Sequence, residues 1–506
     1  MNLKSLTENR YTLNDIFVKN SDGWLAVALL MVPLAHIIHI IVFTFGFKSK
    51  GLSFDDVLHL LSTKELPGDY FVEIIEAFAT FAIIIGLIGI ISKIISGAKN
   101  KSLIDTDSIP SFFFVAFIAL AVISVAVNGI SKELFIGFTE RGEGFIALLF
   151  YFFVFFVGSL IKKEKIKYIV IYALLSLGMV ITAMFLANCI GLSVPIVEYF
   201  PLEIIYYNSN FYAYFLTVLI MLSASLVLKD KSRGRKIFAF AMLCMNTAIL
   251  AINNTFGCFV ACFVAFIFMI VADSLQRKKF SFAALGLFGV FLAVSFVMSF
   301  WYRSFFTQIL GMFGDMRLIL LNAENADDAG TLRWGLWRHT FDYIREKPWL
   351  GFGFEGICDR LLEEAGQDKV HNEYLEYAAD FGVPAALIYI AGLISIYIKA
   401  LVKRAKVDGA TFCALVAAFG YIGSAFFGNT TVFIAPLFFI VLGLANTIPA
   451  APEAIPANSP AEATESSPEP DTAPEAETGE NTEENSEEIT EENTAESEAD
   501  MQESDE

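Results

Sequence analysis

The chain between Trp24 and Asn446 is almost continuously apolar, and the main part of its one long polar interval, Thr331–Gly382, gathers Arg333, Arg338, Arg345 and His371. A guanidinium is always charged and presents two parallel donors, which suits the oxygens of a phosphate. An imidazole titrates near neutrality, which suits removal of a proton from a hydroxyl. Two further places add polar groups at the edge of apolar runs: Arg141 and Glu143 in the loop GFTERGEGF, and Arg303 at the start of the long polar segment. Each has a plainer reading. A lone arginine beside a membrane span is also a snorkelling anchor, and an isolated histidine is also a surface or helix-cap residue. His339 reads as structural, and His36, His39 and His59 have no evident partner.

The elements that position these groups follow from pattern. Leu332, Leu336, His339 and Tyr343 recur at helical spacing. The helix they predict stops at Lys347-Pro348, because proline forces the preceding residue out of the helical region. Gly351-Phe352-Gly353 turns the chain, and a charged, loosely periodic segment follows. His371 then opens a second short helix that closes at Gly382, a helix-ending glycine, just before Pro384 and the next apolar run. Glu376 and Asp380 lie on that helix and could orient the imidazole, although sequence does not place their side chains.

With 506 residues, 56% of them hydrophobic, and a positive mean hydropathy, the chain falls in the membrane class. Its 51 phenylalanines read as lipid-facing and interhelical packing. The net charge of −19 comes largely from the C-terminal tail, and nothing in it argues for nucleic acid. Of six cysteines, only Cys358 lies in the long loop; Cys258 and Cys262 share a helix face and read as packing residues. No Asp-x-Asp or clustered His-carboxylate spacing marks a divalent-ion site, and no cofactor is implied.

Residues 1–23 are polar, and the apolar run from Trp24 to Phe47 is too long for a removable signal peptide. Further spans are expected near 71–95, 110–128, 144–161, 168–190, 209–228, 236–253, 256–274, 280–301, 383–401, 409–427 and 431–447, about twelve in all. Lysine and arginine collect in alternate short loops, near Lys93, Lys162, Lys229, Arg277 and Lys403. Those loops are therefore expected to be cytoplasmic, with both termini, and the long 302–382 loop to be outside. Residues 448–506 are rich in Ala, Pro, Glu, Thr and Ser and read as a disordered acidic cytoplasmic tail.

The polar interval also carries a resemblance. An Arg-x-x-x-Trp helix (Arg333, Trp337), a Pro-Trp-Leu-Gly-x-Gly turn (Pro348 to Gly353) and a His-Asn-x-Tyr-Leu helix ending in Phe-Gly (His371 to Gly382), followed by a span, resemble the signature region of the O-antigen ligase and O-antigen polymerase superfamily. The resemblance extends more loosely over residues 20–447. The Arg141 loop resembles that superfamily's short external arginine loop. One departure stands out: where many members have a Ser-Arg pair, this chain has Asn254-Thr255-Phe256-Gly257, with Phe256 in the arginine's place.

The resemblance implies an all-α polytopic membrane protein that transfers or polymerises a glycan from a polyprenyl diphosphate carrier onto an acceptor hydroxyl, outside the cytoplasmic membrane. In that reading His371 is the base, and Arg333 and Arg141 steady the diphosphate. Arg338, Arg303 and Glu143 are substrate-binding candidates. The course is expected to be inverting and metal-independent, with a glycan, lipid or polymer as acceptor. The rival reading is a lipid-linked oligosaccharide flippase or polar-lipid transporter. Transporters usually show internal repeats; none is visible between the halves, and the polar residues concentrate in one loop.

Overall fold

The structure, a computed structural model, describes residues 20–49, 67–99, 108–129, 132–137, 143–189, 209–302, 304–321 and 326–447. Among these the chain is all helix and turn, with no strand. Helices α1 (Ser21–Ser49), α2 (Pro67–Lys99), α3 (Ile109–Asn128), α4 (Lys132–Ile136), α5 (Phe145–Ser159), α6 (Glu164–Cys189) and α7 (Ser209–Lys229) form the first half. Then come α8 (Arg233–Asn253), α9 (Phe256–Arg277), α10 (Phe282–Tyr302), α11 (Ser304–Leu320), α12 (Arg333–Glu346), α13 (Cys358–Ala365), α14 (Glu373–Phe381), α15 (Val383–Val402), α16 (Gly409–Ser424) and α17 (Ala435–Ala445).

Ten of these helices are long and apolar enough to cross a membrane, and α5 and α17 are two shorter apolar helices; together they occupy the twelve expected spans. In hydrocarbon a helix is the form that satisfies its own backbone donors and acceptors, which is why uninterrupted apolar runs become helices here. The tight turn at Asn254-Thr255 is present: Asn254 takes a left-handed conformation (φ 62°) between α8 and α9. On α3 the exposed side chains include Ile109, Phe112, Val115 and Val122, a face that suits lipid.

The ends of the helices sort by charge. At one end Asp22 pairs with Lys93 and accepts from the Lys163 amide at 3.0 Å. There too Lys167 pairs with Asp408, Lys229 with Asp273 at 2.6 Å, and Lys399 bonds Asn446 Oδ1 at 2.7 Å. The basic loops that alternate in the sequence thus meet at a single face, and the long polar loop packs at the opposite one.

Helices α7 and α17 are the most enclosed spans: α7 is buried from Phe211 to Leu226 and α17 along its whole length. Aromatic rings from α3, α5, α14 and α15 interlock. Phe117 packs on Phe152, Tyr377, Phe381 and Tyr389 with ring centroids 5.3–5.6 Å apart. Helix α14 is thereby seated on the spans through apolar faces and is not free to hang in solvent. Aromatic pairs of this kind add about 0.5–1.5 kcal/mol each beyond their burial.

The long loop holds more structure than its sequence pattern showed. The charged segment after the glycine turn contains α13, and α11 leaves Leu310, Phe313, Met316 and Leu320 exposed, an apolar face that suits a membrane surface. Arg141, Arg303, His59, the N-terminal residues 1–19 and the tail 448–506 lie outside the described residues.

Candidate functional site

The site is built on the turn between α12 and α14. Helix α12 ends at Glu346, just before Pro348, and buries Leu336, Thr340 and Tyr343. Leu332 sits at its N-cap and is exposed, so the buried stripe starts one turn later than the spacing implied. The Pro348–Gly353 turn lies directly on the end of α14. Phe352 N donates to Ala379 O at 2.9 Å, Gly353 N to Asp380 O at 2.8 Å and Val383 N to Pro348 O at 2.9 Å. Ser124 of α3 bonds both strands of this contact, at Leu350 O and Asp380 O. The motif glycines are required by this backbone-to-backbone approach: a Cβ on Gly351 would lie 2.4 Å from Ala379 O, and one on Gly382 2.2 Å from Trp349 O. Both also take positive φ, 62° and 90°.

One tryptophan ties the Arg333 helix to the segment of His371. Trp337, one turn after Arg333 on the same helical face, donates from Nε1 to Val370 O at 3.2 Å. His371 follows immediately, half-buried and left-handed (φ 54°). Asn372 then starts α14, its Oδ1 accepting from the Tyr374 and Leu375 amides at 3.1 Å. Arg333 bonds Gly330 O at 3.1 Å and Thr331 Oγ1 at 2.6 Å through Nη1, while its buried Nε has no partner. Four non-glycine residues of the loop, Thr331, Leu332, Glu355 and His371, hold positive φ; such strain persists where packing enforces it, commonly at functional sites.

Beneath the histidine lies buried charge that sequence reading did not single out. Lys369 Nζ is 2.6 Å from Glu355 Oε1, 2.9 Å from Glu376 Oε1 and 3.5 Å from Glu143 Oε2. Burial opposes the Lys369 charge, but Glu355 and Glu376 outweigh it and hold its pKa well above the ordinary lysine value. Asp380, fully enclosed on the same helix, is pushed well up by burial and by the Glu376 charge. Glu373 is raised to about 7 by burial, against the hydrogen bond from Tyr389 at 2.6 Å. Burial also pushes the Cys358 thiol up, so it is a packing group there.

Other expected site residues fall differently. Glu143 is 2% exposed and turned inward to Lys369, so it faces the protein interior. Glu376 serves Lys369, and neither it nor Asp380 is the imidazole's partner in any hydrogen bond seen here. Arg338 is exposed and pairs with Asp327 at 2.7 Å; Arg345 pairs with Asp342 on its own helix. His339 approaches Glu364 at 3.4 Å, and His36 bonds the carbonyls of Val32 and Phe433 at 2.9 and 2.8 Å, both structural uses. Cys258 and Cys262 are buried in packing. Among the described residues no group of three His, Cys, Asp or Glu side chains could hold a metal ion.

An apolar groove of about 440 Å³ opens beside the site, between α9, α15 and the end of α16. Val260, Val264, Ile390, Ile394, Ile422 and Phe426 line it, with Tyr374 at its side. Phe426 packs edge-on against Trp337 with centroids 5.5 Å apart, which joins the groove to the helix of Arg333. A second cavity, about 570 Å³, lies at the lysine-rich end among Tyr168, Tyr172 and Arg235, far along the spans from this chemistry.

Residues 237–390 match the family described as O-antigen ligase, Wzy_C. The resemblance read from the Arg333, Pro348–Gly353 and His371 motifs is borne out over that stretch, which runs from α8 into α15; the Arg141 loop lies before it. No curated protein is significantly similar in sequence to the chain. The match and the apolar helices support a multi-pass membrane enzyme of surface polysaccharide biosynthesis.

Proposed function

We propose that this chain transfers or polymerises a glycan from a polyprenyl diphosphate carrier onto an acceptor hydroxyl at the outer face of the cytoplasmic membrane. The observation that carries the reading is the joining of three features within one short stretch of structure. Arg333, a cation with a buried, unpartnered donor, lies one turn before Trp337, the Trp337 indole N–H bonds the residue just before His371, and an apolar groove leads to the same tryptophan. A lipid-linked diphosphate has those two ends. The groove accommodates part of the isoprenoid, and Arg333, with Arg141 from the short loop, meets the diphosphate.

As the sugar–phosphate bond breaks, negative charge grows on the bridging oxygen, and a preplaced guanidinium stabilises that state more than the ground state. His371 takes the proton from the incoming acceptor hydroxyl. With one base and no carboxylate nucleophile the course is inversion, and the arginines manage the leaving group without a metal. A flippase has no use for a base beside the cation, which favours transfer over the transporter reading.

The test is transfer from a synthetic polyprenyl-diphosphate glycan by purified protein, with and without chelator. His371→Ala should lower turnover by roughly 10²–10⁴ with donor affinity little changed. Arg333→Ala should weaken donor binding as well as turnover, and Arg333→Lys should recover only part, since a point charge cannot reproduce the two-pronged contact. Full turnover by a folded His371→Ala protein removes the base; loss of activity in chelator removes the metal-free leaving-group role.

A further inference from the structure

The cavity at the lysine-rich end has the shape and the charge of a lipid site. One wall is a stripe of α6, where Lys165, Ile169, Tyr172, Ala173 and Ser176 recur at helical spacing. The other wall is Lys231, in the turn between α7 and α8, and Arg235 in the first turn of α8. From Lys165 to Ser176 the stripe runs roughly 16 Å at about 1.5 Å per residue. That is about half the thickness of a bilayer's hydrocarbon core, the depth of one leaflet. The groove is thus charged at its mouth and apolar further down. Ile169 is 46% exposed there, and the Ser176 hydroxyl is turned back on its own helix, to Tyr172 O at 2.8 Å.

The cations at the mouth are of two kinds. Arg235 belongs to the wall: it donates to Asp230 from Nε at 2.8 Å and from Nη2 at 2.9 Å, and Tyr172 OH donates to the same carboxylate at 2.6 Å. The guanidinium also lies 5.8 Å from the centre of the Tyr172 ring. Glu164, the carboxylate of the lining, accepts from the Gly409 amide at 3.0 Å. Lys165 and Lys231 are different. They are exposed and have no ion pair among the described residues, whereas Lys93, Lys167 and Lys229 at the same end each hold a carboxylate. We infer that the groove binds one anionic phospholipid, its phosphate met by Lys165 and Lys231 and an acyl chain laid along Ile169, Ala173 and Ser176. A free phosphate would fill only the mouth and leave the apolar stripe bare. A zwitterionic headgroup would bring its own ammonium against the two lysines, while basic pockets between spans suit anionic headgroups. The site stands apart from the glycan-transfer reading and does not depend on it.

The experiment titrates the full chain, purified in detergent and stripped of lipid, with dioleoylphosphatidylglycerol, dioleoylphosphatidylcholine or sodium phosphate, and counts bound lipid by native mass spectrometry. Each lysine facing an anionic lipid is expected to add roughly fivefold in affinity. One phosphatidylglycerol should therefore be held roughly 30-fold more tightly than phosphatidylcholine, and sodium phosphate should not displace it. Lys165→Gln combined with Lys231→Gln should bring phosphatidylglycerol down to the phosphatidylcholine level. Ser176→Trp, which fills the deep end of the groove and leaves both lysines in place, should weaken both lipids. Lys278→Gln combined with Lys279→Gln, in the next basic loop and outside the groove, should leave binding unchanged. All five substituted side chains are exposed, so the variants keep the fold. Equal affinity for the two lipids overturns the proposal, and so does displacement of phosphatidylglycerol by phosphate, which would mean a site for the headgroup alone. An equal loss in the Lys278 and Lys279 variant also overturns it, because that marks a general attraction to the basic face. A Ser176→Trp protein that binds both lipids as the parent does puts the acyl chain outside the groove and overturns it as well.

Discussion

Glu373 offers a prediction in which removing a charge stabilises the protein. The side chain is 1% exposed, one oxygen accepts from Tyr389 at 2.6 Å, and the other is buried without a partner. Burial raises its pKa from 4.5 to about 7. The unfolded chain therefore ionises this group near 4.5, while the folded protein keeps the proton until about 7. In that window the folded state binds more protons than the unfolded one, so stability falls as pH rises, by about 1.4 kcal/mol per pH unit at most. Integrated from pH 5 to pH 8, the cost is about 2–3 kcal/mol. Glu373→Gln keeps an acceptor for Tyr389 and cannot ionise. Its stability relative to the parent should rise by that amount between pH 5 and pH 8, whatever fixed cost the amide itself carries. Unfolding of both proteins in mixed micelles across that range, followed by tryptophan fluorescence, makes the comparison. Parallel stability curves for the two proteins would refute the reasoning, because they would mean that Glu373 ionises alike in both states.

Two further outcomes follow from the geometry. Gly351 and Gly366 have similar positive φ, 62° and 70°, but a Cβ on Gly366 meets nothing within 4 Å. Gly366→Ala should cost about 1 kcal/mol for left-handed strain, whereas Gly351→Ala also breaks the turn's hydrogen bonds to α14 and should cost roughly 3 kcal/mol or more; equal melting points would contradict the close approach. On topology, a reporter after Arg404 should be cytoplasmic and a tag at Asp327-Asp328 accessible from outside, as the gathering of basic loops at one end of the helices implies; an internal tag would put the site in the wrong compartment.

How much of this was legible beforehand depends on the distance over which each feature acts. The spans declared themselves, because a long apolar run in hydrocarbon has one way to satisfy its backbone. Trp337 and His371 were legible because each sits in a short sequence pattern, while the bond that joins those patterns, from the tryptophan to the carbonyl of Val370 33 residues on, appears only in the fold. The glycine pair was read as turn and helix end, which it is, but the stronger reason for it, two backbones pressed together between Gly351 and Gly382, needed the fold. Lys369 was passed over for a different reason. A lysine in a charged loop reads as solvated, and Glu143 lies 226 residues before it, so neither hydropathy nor spacing marks the pair. Glu376 and Asp380 were candidates to orient the imidazole, but sequence does not place their side chains; the fold turns Glu376 to the lysine. A motif in this chain marks where the proposed chemistry lies, whereas the contacts that enclose Lys369 join Glu143, Glu355 and Glu376 from stretches with no common pattern, and only the fold brings them together.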